Sequence, residues 1–94
     1  TPENFGYMSG ALKDFFDRIY YPCLEHTPAM PYALFIRAGQ DGSGARRSIE
    51  RIVTGLKWKA VQEPLICKGD SAVFLTPCKE LGLVMAASLE AGIL

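Results

Sequence analysis

Apolar positions recur along the chain with spacings that predict three helices and two strands. The first helix is predicted from residue 9 to about residue 20, with Ser9 as its N-cap and Tyr21-Pro22 at its end. Its apolar face is formed by Met8, Leu12, Phe15, Phe16 and Ile19. Opposite charges four residues apart occupy its polar face: Lys13 with Asp17, and Asp14 with Arg18. An irregular, proline-rich connection follows, up to Pro31.

The next segment reads as strand, glycine-rich loop and helix. Residues 32–36 form a continuous apolar run between Pro31 and Gly39, which is typical of a parallel strand that is buried on both faces. Residues 39–44 are glycine-rich and lead directly into the second helix. The apolar face of that helix consists of Ala45, Ile49, Ile52, Val53 and Leu56. This succession is half of a βαβ unit.

The last third of the chain predicts a second strand and a third helix. The strand falls within residues 58–67, where Pro64 indicates an edge position or a bulge. Thr76-Pro77 predicts the start of the helix, which should reach about Ala91, with Gly92 as its stop. The helix is apolar nearly all round, through Leu81, Leu83, Val84, Met85, Ala86, Ala87 and Leu89. It therefore needs cover on more than one side, from further strands or from another chain.

The order helix, strand, helix, strand, helix predicts an α/β fold. Its alternation calls for an open parallel sheet with helices on both faces and with more strands than this chain supplies. The length of 94 residues allows one domain at most. The carboxyl ends of the parallel strands would bring two loops, residues 1–8 and 39–44, to one edge, where such sheets bind ligands.

The stretch T-P-E-N-F-G-Y-M-S-G-A-L-K-D-F-F-D-R, residues 1–18, resembles a segment of a known family. It is similar to the loop and helix after the third strand of flavodoxin-like flavoproteins, in particular the NADPH-dependent FMN reductases and the related quinone oxidoreductases. The matching positions are Thr1, Pro2, Asn4, Ser9, Gly10, Lys13 and Asp17. The glycine-rich residues 38–44 match a second landmark of that family. The resemblance implies that residues 1–94 are the C-terminal portion of one flavodoxin-like domain, with strands four and five of a 2-1-3-4-5 sheet.

The resemblance also implies a flavin site and an activity. FMN would take a hydride from NADPH or NADH and pass electrons to a small acceptor such as a quinone. The cofactor-binding residues would be Thr1, Pro2, Glu3, Asn4, Phe5, Gly6, Tyr7, Gly39, Gln40 and Gly42. Aromatic side chains at Phe5 and Tyr7 suit the walls of a flavin-ring site. The chain carries no Ser/Thr-rich phosphate loop, so these residues would contact the ring without anchoring the FMN phosphate.

Two bland interpretations stand beside the flavin site. The first loop could be only a capped turn that begins a helix, and residues 39–44 could be only a flexible connection. No Ser/His/Asp or Cys/His arrangement is present, and His26, the only histidine, reads as a solvated loop residue, which disfavours hydrolysis. Catalytic residues are not assigned, because in flavoenzymes the cofactor carries the redox chemistry.

Charge and cysteine content restrict the partners. The charges of ten basic and ten acidic residues cancel, so we expect no nucleic-acid partner. No apolar run approaches the roughly 20 residues that span a bilayer, so we expect no membrane partner. The three cysteines, Cys23, Cys67 and Cys78, are odd in number and lack metal-ligand spacing. They read as buried, inert thiols of a cytoplasmic protein, with no metal site.

Two further functions remain open. An electron-carrier flavodoxin would be strongly acidic, which the zero net charge disfavours. A truncated or degenerate flavodoxin-like domain without flavin would act as an oligomeric interaction or structural protein. The apolar third helix predicts a homo-oligomer in either case.

Overall fold

A computed structural model describes residues 1–93 as a mixed α/β fold. Within these residues the helices are α1 (Gly10–Cys23), α2 (Ser43–Gly55) and α3 (Ser71–Glu90). The strands are β1 (Glu3–Asn4), β2 (Tyr7–Met8), β3 (Pro31–Tyr32), β4 (Phe35–Arg37), β5 (Lys59–Ala60) and β6 (Leu65–Cys67). The coarse α/β prediction is confirmed.

The first helix begins where the sequence predicts. The Ser9 hydroxyl oxygen accepts a hydrogen bond from Leu12 N–H, and both predicted ion pairs of the polar face form, at 2.6 and 2.9 Å. The predicted end at Tyr21-Pro22 is wrong, because α1 continues through Pro22 to Cys23. Leu24 N–H closes the final turn on Tyr20 C=O at 2.8 Å, so a proline this near the end interrupts the ladder without stopping it.

The two predicted strands are parallel neighbours, as expected for a βαβ unit. Strand β4 pairs with β6 in the register Phe35↔Leu65, Ile36↔Ile66 and Arg37↔Cys67, and β3 pairs with β5. Each predicted strand is interrupted, since Ala33 and Leu34 separate β3 from β4, while residues 61–64 separate β5 from β6. The longer interruption contains Pro64, where a bulge or edge position is predicted.

The prediction that the first strand is buried on both faces is wrong for this chain. Ile36 is fully buried against Ala45 of α2, whereas Phe35 on the opposite face is 51% exposed. That opposite face lies towards α3, since Arg37 stacks over the Phe74 ring at 5.3 Å. Helices therefore lie on both faces of the β4–β6 pair, but α3 covers its face only in part.

Residues Thr1 and Pro2 add a parallel stretch beside β4. Thr1 donates its terminal amine to Phe35 C=O at 3.1 Å and accepts from Arg37 N–H at 2.9 Å. Leu34 C=O and Ala38 N–H, on the other edge of β4, bond to Leu65 and Cys67. Strand β4 is therefore central, with the first residues on one side and β6 on the other.

The main core lies between α1 and α2. Its buried members are Met8, Phe16, Ile49, Val53 and Leu56, and a second, smaller cluster contains Ile36, Ala38 and Ala45. The predicted apolar face of α2 is confirmed, since four of its five positions are buried and Ile52 is half-buried. Trp58 packs on Phe16 at a ring distance of 6.2 Å and donates its indole N–H to Thr27.

The third helix starts six residues before the predicted position. Asp70 is its N-cap, accepting from Ala72 N–H at 3.1 Å, so Pro77 lies inside the helix and the predicted start at Thr76-Pro77 is wrong. The predicted end is confirmed, with Ala91 as the C-cap and Gly92 at a φ of 72°. Leu81 is the one residue of α3 that is buried, because it packs on the chain itself. The exposed large apolar residues of α3 are Val73, Leu75, Leu83, Val84 and Leu89.

The earlier start of α3 also makes this helix long enough to span a bilayer. From the sequence alone, no apolar run approaches the roughly 20 residues that span a bilayer. Over its whole length, however, Ser71–Glu90 is long and apolar enough to cross a bilayer, so the prediction that no stretch approaches membrane-spanning length is wrong. Length and composition are the only support for a span.

Candidate functional site

The first loop is a tight β-hairpin that carries an exposed aromatic side chain. Strands β1 and β2 pair in the register Glu3↔Met8 and Asn4↔Tyr7, leaving Phe5 and Gly6 as the two turn residues. Both have positive φ, 52° and 71°, as a type I′ turn requires. Asn, Asp and Gly favour such a turn, whereas a bulky residue there is strained. Phe5 nonetheless occupies it, with its side chain fully exposed.

Three contacts fix the hairpin on the N-terminal turns of α2. Glu3 Oε2 accepts a hydrogen bond from Ala45 N–H at 2.9 Å, and Met8 N–H donates to Ser48 Oγ at 3.3 Å. Gly6 lies directly against Gly44, where an added Cβ would overlap the Gly6 carbonyl group. Glycine at the second position of a helix is therefore explained by a close backbone approach.

The second loop is held by its own side chains. Asp41 Oδ1 accepts hydrogen bonds from Ser43 N–H at 3.0 Å and from Ser43 Oγ at 2.9 Å. The Ser43 backbone bond, followed by the hydroxyl bond, holds the pKa of the Asp41 carboxyl below its usual value. Gly42 has a φ of 72° and lies against Ile66, so the turn into α2 depends on glycine.

The two loops enclose a cleft of about 550 Å³ at the carboxyl end of β4. Five of the ten predicted cofactor-binding residues line it: Glu3, Phe5, Gly6, Gly39 and Gln40. Within residues 1–93, neither Gly39 N–H nor Gln40 N–H donates a hydrogen bond. The cleft therefore combines an aromatic side chain with two free backbone donors.

The other five predicted residues lie outside this cleft. Thr1 and Pro2 extend the sheet beside Arg37, and Thr1 Oγ1 also accepts from Ser9 N–H at 3.0 Å. Asn4 and Tyr7 form the last pair of the hairpin, and Tyr7 borders a neighbouring groove. Gly42 is a buried residue of the second loop and does not border the cleft.

Four cleft residues are absent from the sequence-based site: Asp41, Ser43, Gly44 and Arg47. The D-x-S spacing of Asp41 and Ser43 is the signal of a side-chain turn and could have indicated the first two. Gly44, inside a predicted helix, could have indicated close approach. Arg47 carries no such signal, because it reads only as a residue of the polar face of α2.

The neighbouring groove has a volume of about 890 Å³ and is basic on one side. Lys13, Arg47 and Arg51 border it, together with Glu50. Lys13 is held by Asp17 at 2.6 Å, and that hydrogen bond raises the pKa of its ammonium group. Gly6, Gly44 and Arg47 border both the cleft and this groove, so the two are adjacent.

No protein-family model matches this sequence, and a comparison with curated proteins finds no match. Among residues 1–93, no three His, Cys, Asp or Glu side chains are grouped so that they could hold a metal ion. The observations that bear on function are therefore the geometry of the cleft and the resemblance of residues 1–18 and 38–44 to flavodoxin-like flavoproteins.

Proposed function

We propose that this chain is part of an FMN-dependent NAD(P)H oxidoreductase and that the cleft between its first two loops holds the flavin ring. In this proposal the finer fold is flavodoxin-like, with residues 1–94 as the C-terminal portion of one such domain. FMN, when bound, supplies hydride acceptance from NADPH or NADH and electron transfer to a small acceptor such as a quinone. The chain's own residues bind and orient the ring.

The observation that carries the proposal is the exposed, strained Phe5. A bulky residue at positive φ costs stability, and such outliers cluster at ligand sites. Its side chain gains no burial that would offset this cost, since it is fully exposed. A flat apolar ligand stacked on Phe5 would provide that missing contact.

The backbone of the second loop offers hydrogen-bond donors for the polar end of a flavin ring. A flavin ring has an apolar benzenoid end and a pyrimidine end with carbonyl oxygens. Gly39 and Gln40 border the cleft, and their N–H groups, which donate no hydrogen bond within residues 1–93, could donate to those carbonyl oxygens. The Asp41–Ser43 hydrogen bonds hold the loop that carries these donors.

The residues present fit the ring and do not fit the FMN phosphate. The first N–H groups of α2 are the natural phosphate donors of this edge. Two of them already donate to carboxylates, Ser43 N–H to Asp41 and Ala45 N–H to Glu3. A phosphate placed there would meet two negative charges, so this chain should discriminate poorly between FMN and flavins without phosphate.

The basic groove supports a nicotinamide nucleotide as the electron donor. It lies beside the cleft, on the other side of the Gly6–Gly44 contact, and Arg47 borders both spaces. Arg47 and Arg51 could bind the phosphate oxygens of NADPH or NADH beside the flavin. No nucleic-acid partner, no membrane partner and a cytoplasmic location belong to the same proposal.

Flavin retention by a variant of the first loop tests the proposal. Replacing Asn4 and Phe5 together by Ala should weaken FMN binding, measured by quenching of flavin fluorescence. Tyr21→Ala removes an exposed aromatic side chain outside the cleft and serves as the matched control. Equal FMN binding by the double variant and the control would overturn the site.

The exposed side of α3 supports a second candidate, an oligomeric interaction or structural protein without flavin. Val73, Leu75, Leu83, Val84 and Leu89 are each at least 45% exposed. Monomeric proteins rarely leave such a surface in water. A homo-oligomer is compatible with both candidate functions, so flavin binding separates them and oligomeric state does not.

A further inference from the structure

Two cysteines from different elements face each other beneath the carboxyl edge of the sheet. Cys67 is the last residue of β6, and Cys78 lies in α3, one residue after Pro77. Their Sγ atoms are 3.7 Å apart. The third cysteine, Cys23, packs on the separate core between α1 and α2. The sequence predicts all three as inert buried thiols, but only Cys67 is buried, and Cys23 and Cys78 are half-buried.

We propose that Cys67 and Cys78 are a redox modification site that a peroxide converts into an intramolecular disulfide. An S–S bond measures about 2.05 Å, so each sulfur needs to move only about 0.8 Å towards the other. The proposal stands apart from the flavin site, because it depends on no residue of the cleft.

The contacts around the pair keep α3 in place over β6. The Arg37 guanidinium stacks on Phe74 of α3 at 5.3 Å and donates a hydrogen bond from Nη1 to Cys67 C=O at 3.3 Å. One side chain thus joins the helix to the strand end, within a few residues of both cysteines. The short Sγ–Sγ distance is therefore fixed by neighbouring contacts.

Access differs between the two thiols and sets the order of the reaction. Cys78 is half-buried and borders an apolar groove of about 430 Å³ with Phe35 and Leu81. Cys67 is only 1% exposed. Burial, followed by the hydrogen bond with Cys78, raises the pKa of the Cys67 thiol. Cys78 is thus the sulfur that a peroxide reaches, and Cys67 is the resolving thiol.

The reaction balances with hydrogen peroxide as the oxidant. The Cys78 thiolate attacks one peroxide oxygen, the O–O bond breaks, and Cys78 sulfenic acid and one water form once the thiol proton is transferred. Cys67 sulfur then attacks Cys78 sulfur, the S–O bond breaks, and the hydroxide leaves as a second water with the Cys67 proton. Two thiols lose two electrons and two protons, and the peroxide is reduced to two waters.

The disulfide would tie α3 to the sheet. It closes the segment that contains Gly69, the cap Asp70 and the first turns of α3. Oxidation should therefore slow amide hydrogen exchange in residues 71–78 and raise the thermal midpoint of unfolding.

The test treats the reduced full chain with hydrogen peroxide and then alkylates the remaining thiols under denaturing conditions. We expect monomer that has lost two hydrogens, one alkylated thiol at Cys23, and a Cys67–Cys78 linked peptide that dithiothreitol splits. Cys23→Ser should form the same bond, whereas Cys67→Ser and Cys78→Ser should not. The serine variants keep the size of the side chain, and circular dichroism checks that they fold.

Three outcomes would overturn the proposal. They are three alkylated thiols after peroxide treatment, oxidation of Cys78 to sulfinic acid without a linked peptide, and a disulfide that involves Cys23 or a second molecule. The Cys67→Ser variant adds a positive readout, since its Cys78 sulfenic acid should react with dimedone. Absence of that adduct would contradict Cys78 as the first site of attack.

Discussion

Glu3 and Ala45 are joined by a hydrogen bond from the Ala45 N–H to the Glu3 carboxylate, at 2.9 Å. The contact spans 42 positions of sequence and connects the first hairpin to the first turn of α2. It gives Glu3 a structural role, because a carboxylate at a helix N-terminus satisfies a free donor and interacts favourably with the helix dipole.

Replacing Glu3 therefore tests how the hairpin is held. Glu3→Ala should lower the free energy of unfolding by about 1–2 kcal/mol, since it removes a charge-assisted hydrogen bond. Glu3→Gln keeps an acceptor oxygen and should cost about half as much. Urea unfolding followed by circular dichroism measures both, and equal stability of Glu3→Ala and the wild type would contradict the role.

Replacement by alanine should have opposite effects on stability at Gly44 and at Gly82. Both lie within helices, but a Cβ on Gly44 would overlap the Gly6 carbonyl group, whereas a Cβ on Gly82 would have no atom within 4 Å. Gly44→Ala should destabilise the protein by about 1–3 kcal/mol and displace the hairpin. Gly82→Ala should stabilise it by about 0.5–1 kcal/mol through helix propensity. Thermal unfolding of the two variants measures both effects. Stability changes of the same sign would contradict the close packing of Gly44 on Gly6.

Phe5→Asn should separate stability from binding. Asn tolerates the positive φ of a type I′ turn, so the free energy of unfolding of the variant should rise by about 1 kcal/mol. It also removes the aromatic wall of the cleft, so flavin affinity should fall. Chemical denaturation and a flavin titration on the same sample measure both effects. Reduced stability would contradict the strain at Phe5, and unchanged flavin affinity would contradict its role as a wall of the cleft.

The exposed face of α3 predicts self-association. Each aliphatic side chain that becomes buried contributes roughly 1.5–3 kcal/mol, so a partner that covers several of them forms a stable contact. Met85 borders the apolar groove, and Met85→Glu should cause dissociation or precipitation. Thr76→Glu adds the same charge at an exposed polar position of α3 and should leave the assembly intact. Sedimentation velocity of the wild type as a folded 10.3 kDa monomer would refute self-association.

The sequence predicted those elements whose signals are local and periodic. The i,i+4 charge pairs of α1, the Ser9 cap and the apolar face of α2 follow from helical spacing, and parallel pairing of the strands follows from the alternation of elements. The glycine-rich turn into α2 could also be predicted from the sequence, because glycine tolerates the positive φ of Gly42.

Non-local contacts account for what the sequence could not predict. The strands of the hairpin are two residues long, too short for any alternation, so the hairpin could not be predicted from the sequence. Thr76-Pro77 predicted the start of α3, although the apolar residues before it continue the helix back to Ser71. The pair Cys67 and Cys78 needed both the β6 register and the true start of α3 before the two thiols could be placed together.

Titration of the wild-type chain with three flavins tests the central claim most directly. Lumiflavin carries the ring alone, riboflavin adds the ribityl chain, and FMN adds the phosphate. We predict saturable quenching of fluorescence with all three flavins. Their dissociation constants should lie within about threefold of one another, since less than about 0.7 kcal/mol should come from the phosphate. Phe5→Asn and Gly44→Ala should both lose this quenching. Absence of saturable quenching with any flavin would contradict the ring site, as would binding that requires the FMN phosphate.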